Sequence, residues 1–237
     1  MDRTIDEGGS LTAAEWAERI ARRQPPVAEI YARVRQSTCL SAVSADTARA
    51  YTVIAASLER GGTLFLAGNG GSMADALHIS GEMQKSFKLQ RPIPEALRQR
   101  LSDLEFGDEL STGLQQGLSA HVLGVNAALS SAVGNDIRVT GIGFAQELLS
   151  LARPGDVFLG ISTSGNAKNV RMAASLARAM GLSVIALTGR APNPLADAAD
   201  ISLAIREAET YKVQEAHLQL YHQLCLMLEQ HFYGGSS

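Results

Sequence analysis

Five short apolar runs, at 63–67, 121–125, 157–161, 183–187 and 201–205, alternate with segments of helical composition near 72–87, 141–151, 166–180 and 211–232. Continuously apolar strands must be covered on both faces, and each helical crossover returns the chain parallel to the strand before it. The pattern therefore predicts an α/β fold around a five-stranded parallel sheet flanked by helices. Ahead of the first run, 11–23, 27–35 and 45–58 each have helical composition, with Pro25-Pro26 as a break. We divide the chain into an N-terminal extension, 1–26, and a single domain, 27–237. Residues 88–120 are a surface insertion in that domain: Pro92 and Pro94 precede a helical stretch at 95–105 and then a Gly-, Ser- and Gln-rich stretch. A connection of this length without a strand is expected to cover a site or a subunit contact.

Two of the strand ends carry polar, glycine-containing turns. Gly68-Asn69-Gly70-Gly71-Ser72 follows the first run and Ser162-Thr163-Ser164-Gly165-Asn166 follows the third. Glycine lets a backbone approach an anion, and the helix that follows offers unpaired N–H groups and the positive end of its dipole. The first turn is neither a dinucleotide fingerprint, whose third glycine would fall at Met73, nor a Walker loop, since no Gly-Lys-Ser/Thr follows. A tight strand-to-helix corner would use the same glycines. The second turn offers three adjacent hydroxyls where a helix cap needs one, which favours a phosphorylated ligand.

His78 and Glu82 are four apart on the helix after Ser72, and so share a face. Such a pair is either an ordinary exposed ion pair or an acid–base or metal-ligand pair. On the last helical segment Gln214, Leu218 and His222 recur at steps of four, with His217 to one side. A histidine on an apolar helix face is usually structural, yet here three polar groups gather at one end.

Composition narrows the partners. With 46% apolar and 19% charged residues and a net charge of −3, the 237-residue chain has no basic footprint for nucleic acid. No signal-peptide pattern is present at the N-terminus and no run is long enough for a membrane span, so the expected location is cytoplasmic. Cys39 and Cys225 form no metal-type pair and are expected as reduced thiols, Cys225 inside a helix.

Jointly these motifs resemble the sugar isomerase (SIS) domain family, and within it the phosphoheptose isomerases. The resemblance runs from about residue 45 to 232. It rests on Gly68-Asn69-Gly70-Gly71-Ser72, the His78 and Glu82 pair, Gly134-Asn135-Asp136, 160–166, 185–189, and Gln214-Glu215-Ala216-His217 with His222. The family implies a flavodoxin-like three-layer α/β sandwich and a homotetramer with active sites between subunits. It implies zinc, with His78, Glu82, Gln214 and His222 as ligands. It also implies isomerisation of sedoheptulose 7-phosphate to D-glycero-D-manno-heptose 7-phosphate through an enediol, with Glu82 and His222 as the catalytic acid–base residues. Asn69, Gly70, Gly71, Ser72, Asn126, Ser162, Thr163, Ser164 and Gln214 are the implied substrate contacts, and His217 is a supporting or packing residue. Departures occur at Ala167, where the family carries a hydroxyl, at Asn126-Ala127-Ala128, where an acidic residue is common, and at Lys85-Ser86, in place of Gly-Arg. These changes leave open a longer ketose phosphate, such as an octulose 8-phosphate in specialised metabolism (including antibiotic biosynthesis). A non-catalytic sugar-phosphate sensor or adaptor is a second class, and an amino-sugar deaminase or etherase of the superfamily a third.

Overall fold

A computed structural model describes residues 11–235. Its strands β1 (Leu64–Ala67), β2 (Ala120–Val122), β3 (Val157–Ser162), β4 (Ser183–Thr188) and β5 (Ile201–Ala204) form one parallel sheet in the order β2-β1-β3-β4-β5. The helices are α1 (Ala13–Arg23), α2 (Pro25–Gln36), α3 (Ser44–Glu59), α4 (Gly71–Gln84), α5 (Glu95–Leu101), α6 (Gly107–Gly113), α7 (Ala127–Asp136), α8 (Gly143–Leu151), α9 (Lys168–Ala179), α10 (Pro194–Ala198) and α11 (Thr210–Tyr233).

The three layers follow from the period of a strand. Successive side chains point to opposite faces, so Leu64 and Leu66 of β1 join one core while Phe65 and Ala67 join the other. The first core takes residues of α1 to α4 and α11, among them Tyr31, Ile54, Ile79 and Leu224. The second takes Leu148 of α8, Val170, Ala173 and Ala177 of α9, and Leu195 of α10. Each large apolar side chain fully buried in these layers is worth about 1.5–3 kcal/mol.

All five expected strands are present, with β2 shorter than the 121–125 run because the chain leaves the sheet through Gly124, at φ +89°. Helix α7 was absent from the sequence expectation, and only Val133 of it is buried, so it has no apolar stripe to reveal it. Within the described part of the N-terminal extension, α1 opens on a Thr12/Glu15 capping box and contributes Trp16 and Ile20 to the first core. Cys39 is exposed and Cys225 buried, both free.

Residues 85–119 leave the end of α4, form the α5 and α6 pair, and return to β2. Arg91 anchors them and is 1% exposed. Its guanidinium donates to Glu229 of α11 at 2.9 Å, to the Met83 carbonyl at 2.8 Å and to the Glu82 carbonyl at 3.0 Å. It also lies 4.8 Å from the Tyr233 ring centroid. Glu229 accepts the Phe87 and Lys88 backbone N–H groups at 2.8 and 2.9 Å. The buried pair thus satisfies otherwise orphaned carbonyls at the end of α4 while tying that end to α11.

Candidate active site

Strand order places both glycine turns side by side. The chain runs from β1 outward to β2, then crosses back to β3 and continues the other way, so the β1/β3 boundary is where the winding reverses. Parallel α/β sheets bind ligands in the crevice beyond the strand C-termini at such a boundary. Gly70, at φ +55°, turns the chain into α4, and Gly165, at φ +66°, makes the corresponding turn after β3. Side chains with a Cβ rarely adopt these angles. The two turns are tied together by a reciprocal amide pair: Asn69 Nδ2 donates to Asn169 Oδ1 at 2.9 Å and Asn169 Nδ2 to Asn69 Oδ1 at 2.8 Å.

Of the residues predicted to hold substrate, Ser72 and Ser162 are buried at the roots of the two turns, whereas Asn69, Gly70, Gly71 and Ser164 face solvent and Thr163 is half-buried. The Ser164 hydroxyl also accepts the Asn166 backbone N–H at 3.2 Å. Gln214 sets its side-chain amide against Gly71. Asn126 is exposed and its side-chain oxygen accepts the Leu129 N–H at 3.1 Å, which makes it the N-cap of α7.

The residues expected to carry acid–base or metal chemistry meet further along α4, where α4 and α11 lie side by side. His78 Nε2 is 3.2 Å from Glu82 Oε1 and 3.5 Å from His222 Nε2. The His78 and His222 rings are edge to face at a centroid distance of 4.9 Å, and Phe87 lies 5.5 Å from the His222 ring. Burial, with the adjacent His78 charge, lowers the His222 pKa below the ordinary histidine range, while Glu82 opposes the shift. Behind His78, its Nδ1 is 2.9 Å from Tyr221 Oη, which donates to Asp75 Oδ1 at 3.4 Å. Burial raises the Asp75 pKa. The sequence expectation omitted Asp75, Tyr221 and Asn169. Asp75 lies three residues before His78 and was legible as a neighbour on its face, but the Tyr221 contact depends on how two helices pack.

His217 points into the core, fully buried, with neither ring nitrogen hydrogen-bonded. The Thr188 backbone approaches it without hydrogen-bond geometry, and burial pushes the imidazole pKa down to about 4. It therefore packs as a neutral ring.

Among the described residues no group of three or more His, Cys, Asp or Glu side chains is arranged so as to hold a metal ion. In chemistry His78, Glu82 and His222 are nevertheless donors that zinc takes, and the two contacts of His78 are of ligand spacing. Zinc takes imidazole nitrogen and carboxylate oxygen at about 2.0–2.2 Å, which sets neighbouring tetrahedral ligands about 3.3 Å apart. The separations around His78 Nε2, 3.2 and 3.5 Å, are of that size. Gln214 is not brought to the triplet within one chain: it lies eight residues before His222, about 12 Å along the helix axis, and rests on Gly71.

No described helix is long and apolar enough to cross a membrane. The SIS domain description matches residues 137–227, and a second SIS domain description matches 31–123. The phosphoheptose isomerase of Akkermansia muciniphila is 32% identical over 196 residues, covering 83% of this chain and 90% of the relative. That of Trichlorobacter lovleyi is 36% identical over 174 residues, covering 73% and 76%. Among solved structures, the phosphoheptose isomerase GmhA of Neisseria gonorrhoeae superposes with a TM-score of 0.63 at 27% identity, covering 92% of this chain and all of that one. With both halves of the chain matched and the relatives covered over most of their length, the chain belongs to the SIS domain family, in its branch of phosphoheptose isomerases, which are aldose–ketose sugar-phosphate isomerases.

Proposed function

We propose that the chain converts sedoheptulose 7-phosphate to D-glycero-D-manno-heptose 7-phosphate through an enediol. The observation that carries this reading is the spacing of anion turn and acid–base triplet along one helix. His78 lies six residues beyond Ser72, about 9 Å of axial rise. An extended seven-carbon sugar spans about the same length from its phosphate to C1. Phosphate held by the turns at 68–72 and 162–166 then brings C1 and C2 to Glu82 and His222, with Gln214 alongside the phosphate end.

Isomerisation removes a proton from C1 and delivers one to C2, while the carbonyl moves from C2 to C1. Glu82 and His222 serve as the base and acid for these transfers, residue types that tune to neutral pH. A low pKa keeps His222 neutral and able to accept a proton near pH 7. His78, Glu82 and His222 would hold a zinc ion, whose chemistry when bound is Lewis-acid polarisation of the C2 carbonyl and its enediolate. The His78 side chain is 41% exposed in the single chain, more open than an enediol intermediate tolerates. A homotetramer in which a second copy covers the α4 and α11 face would exclude water there and offers a route for Gln214 of another copy to complete the metal set.

The same reaction on an octulose 8-phosphate is the second reading. It is favoured by the small, exposed Ala127 and Ala128 behind Asn126, and by Ala167 in the second turn. Incubating zinc-loaded protein with each ketose phosphate and following the aldose by NMR separates the two. Conversion of neither, with sugar phosphate still bound, would move the chain to the non-catalytic binders.

A further inference from the structure

Glu147 of α8 is 4% exposed, and nothing in the proposed chemistry uses its carboxyl group. Both of its oxygens engage β2 and the turn after it. Oε1 lies 3.2 Å from His121 Nε2, and Oε2 accepts the Gly124 backbone N–H at 2.6 Å. Strand β2 is three residues long and pairs only with β1, so a single ladder sets where it ends. Leu123 makes the last backbone bond to that ladder, donating to the Leu66 carbonyl at 2.9 Å. The next N–H, that of Gly124, is taken by Glu147 instead, as the chain turns out of the sheet at φ +89°. The corner is also closed sterically: a Cβ at Gly124 would strike the Phe144 ring of α8 and meet the Met73 methyl group of α4. Met73 directly follows Ser72 of the first anion turn, and Asn126 stands two residues beyond Gly124. The Asn126 side-chain oxygen is committed to the Leu129 N–H, so the group this residue has left to offer is its amide N–H2, a donor.

We propose that Glu147 is a positioning residue for substrate binding: it holds the corner between β2 and α7 and thereby sets the Asn126 amide as a donor to the sugar phosphate held by the turns at 68–72 and 162–166. This role rests on the isomerase reading proposed above. Glu82 and His222 lie on α4 and α11, outside the corner, so the proton transfers do not depend on Glu147.

Steady-state kinetics on sedoheptulose 7-phosphate separate this role from mere packing. Glu147→Met keeps the shape of the side chain and removes both acceptors. It is expected to raise KM about tenfold and to leave kcat within about twofold, the pattern of lost uniform binding. A purely structural loss would do the reverse, lowering apparent kcat with the folded fraction at unchanged KM. Glu147→Gln retains an oxygen for the Gly124 N–H and should restore the wild-type KM. Glu147→Asp falls one methylene short of Gly124 and should raise KM in the same direction, which keeps the test open if Glu147→Met does not fold. Asn126→Ser leaves an N-cap for α7 and withdraws the amide. It should raise KM by a similar factor, and the double variant Glu147→Met/Asn126→Ser should raise it no further, because the two residues act in series. An unchanged KM in the Met and Asp variants, or effects that multiply in the double variant, overturns the proposal. Hydrogen exchange over 123–136, faster in Glu147→Met but not in Glu147→Gln, reads the tether without turnover. Should the wild type convert no ketose phosphate, the isomerase reading falls, while exchange still decides whether Glu147 holds the corner; exchange unchanged in Glu147→Met would show that it does not.

Discussion

Gln214 lays its side-chain amide over Gly71, so the first turn of α11 closes on the first residue of α4. A Cβ added at Gly71 would strike the end of that flexible side chain, whereas one added at Gly68 would strike the Ser72 backbone carbonyl. The two alanine substitutions should therefore separate. Gly71→Ala displaces Gln214 at a stability cost within about 1 kcal/mol and raises KM as Gln214→Ala does. Gly68→Ala forces the backbone of the anion turn and costs more than about 2 kcal/mol. Urea unfolding with steady-state kinetics checks both. Wild-type kinetics in Gly71→Ala beside an impaired Gln214→Ala would show that the contact does not position the amide.

Glu82→Gln and His222→Gln remove the atoms proposed to transfer protons while keeping shape and hydrogen bonding. Each is expected to lower kcat by about 10²–10⁴-fold with an unchanged circular dichroism spectrum. Because burial and His78 hold the His222 pKa below 6.5, the acid limb of the kcat/KM profile should also fall below that pH. Full activity in either variant would remove that residue from the mechanism. An acid limb above pH 6.5 would contradict the neutral His222.

How far this could be read from sequence depended on the range of the contacts. Strands β1, β3 and β4 are buried almost throughout, and so appear as apolar runs. The His78 and Glu82 contact is local to one helix, and its i,i+4 spacing made it legible. Asn126 illustrates the opposite case. The resemblance implied a substrate contact for it, and no sequence signal announced that its side-chain oxygen caps α7, a helix whose single buried residue gave no periodic pattern. The Asn69 and Asn169 pair joins residues 100 apart, and the Arg91 and Glu229 pair residues 138 apart. No spacing rule reaches contacts set by the placing of two crossovers on one sheet.

The Arg91 and Glu229 pair gives a prediction for the insertion. Each side chain is only 1% exposed, so removing one partner leaves a buried, uncompensated charge. Glu229→Gln should destabilise the protein by about 3–5 kcal/mol, and Arg91→Met with Glu229→Leu together should recover little of that loss, because the Met83 and Glu82 carbonyls and the Phe87 and Lys88 N–H groups lose their partners. Since Glu229 also holds the Phe87 and Lys88 N–H groups, hydrogen exchange should accelerate first across 85–119 in the single variant. Uniform acceleration over the whole chain would mean that the pair does not act locally as a clamp.

His217 should govern part of the acid sensitivity of the fold. Its folded pKa of about 4 lies below the ordinary value of 6.5, so between these values the unfolded chain binds more protons than the native one. Stability then rises with pH across this window, and is lost as pH falls from about 6.5 to about 4. A gap of this size corresponds to a loss on the order of 3 kcal/mol. His217→Met, of similar size and without titratable or orphaned nitrogens, should flatten that segment while remaining folded at neutral pH. Urea unfolding of both proteins at several pH values gives the difference directly. An identical pH dependence in the two proteins would mean that another group carries the proton uptake and that His217 is protonated, or finds a partner, in the native state.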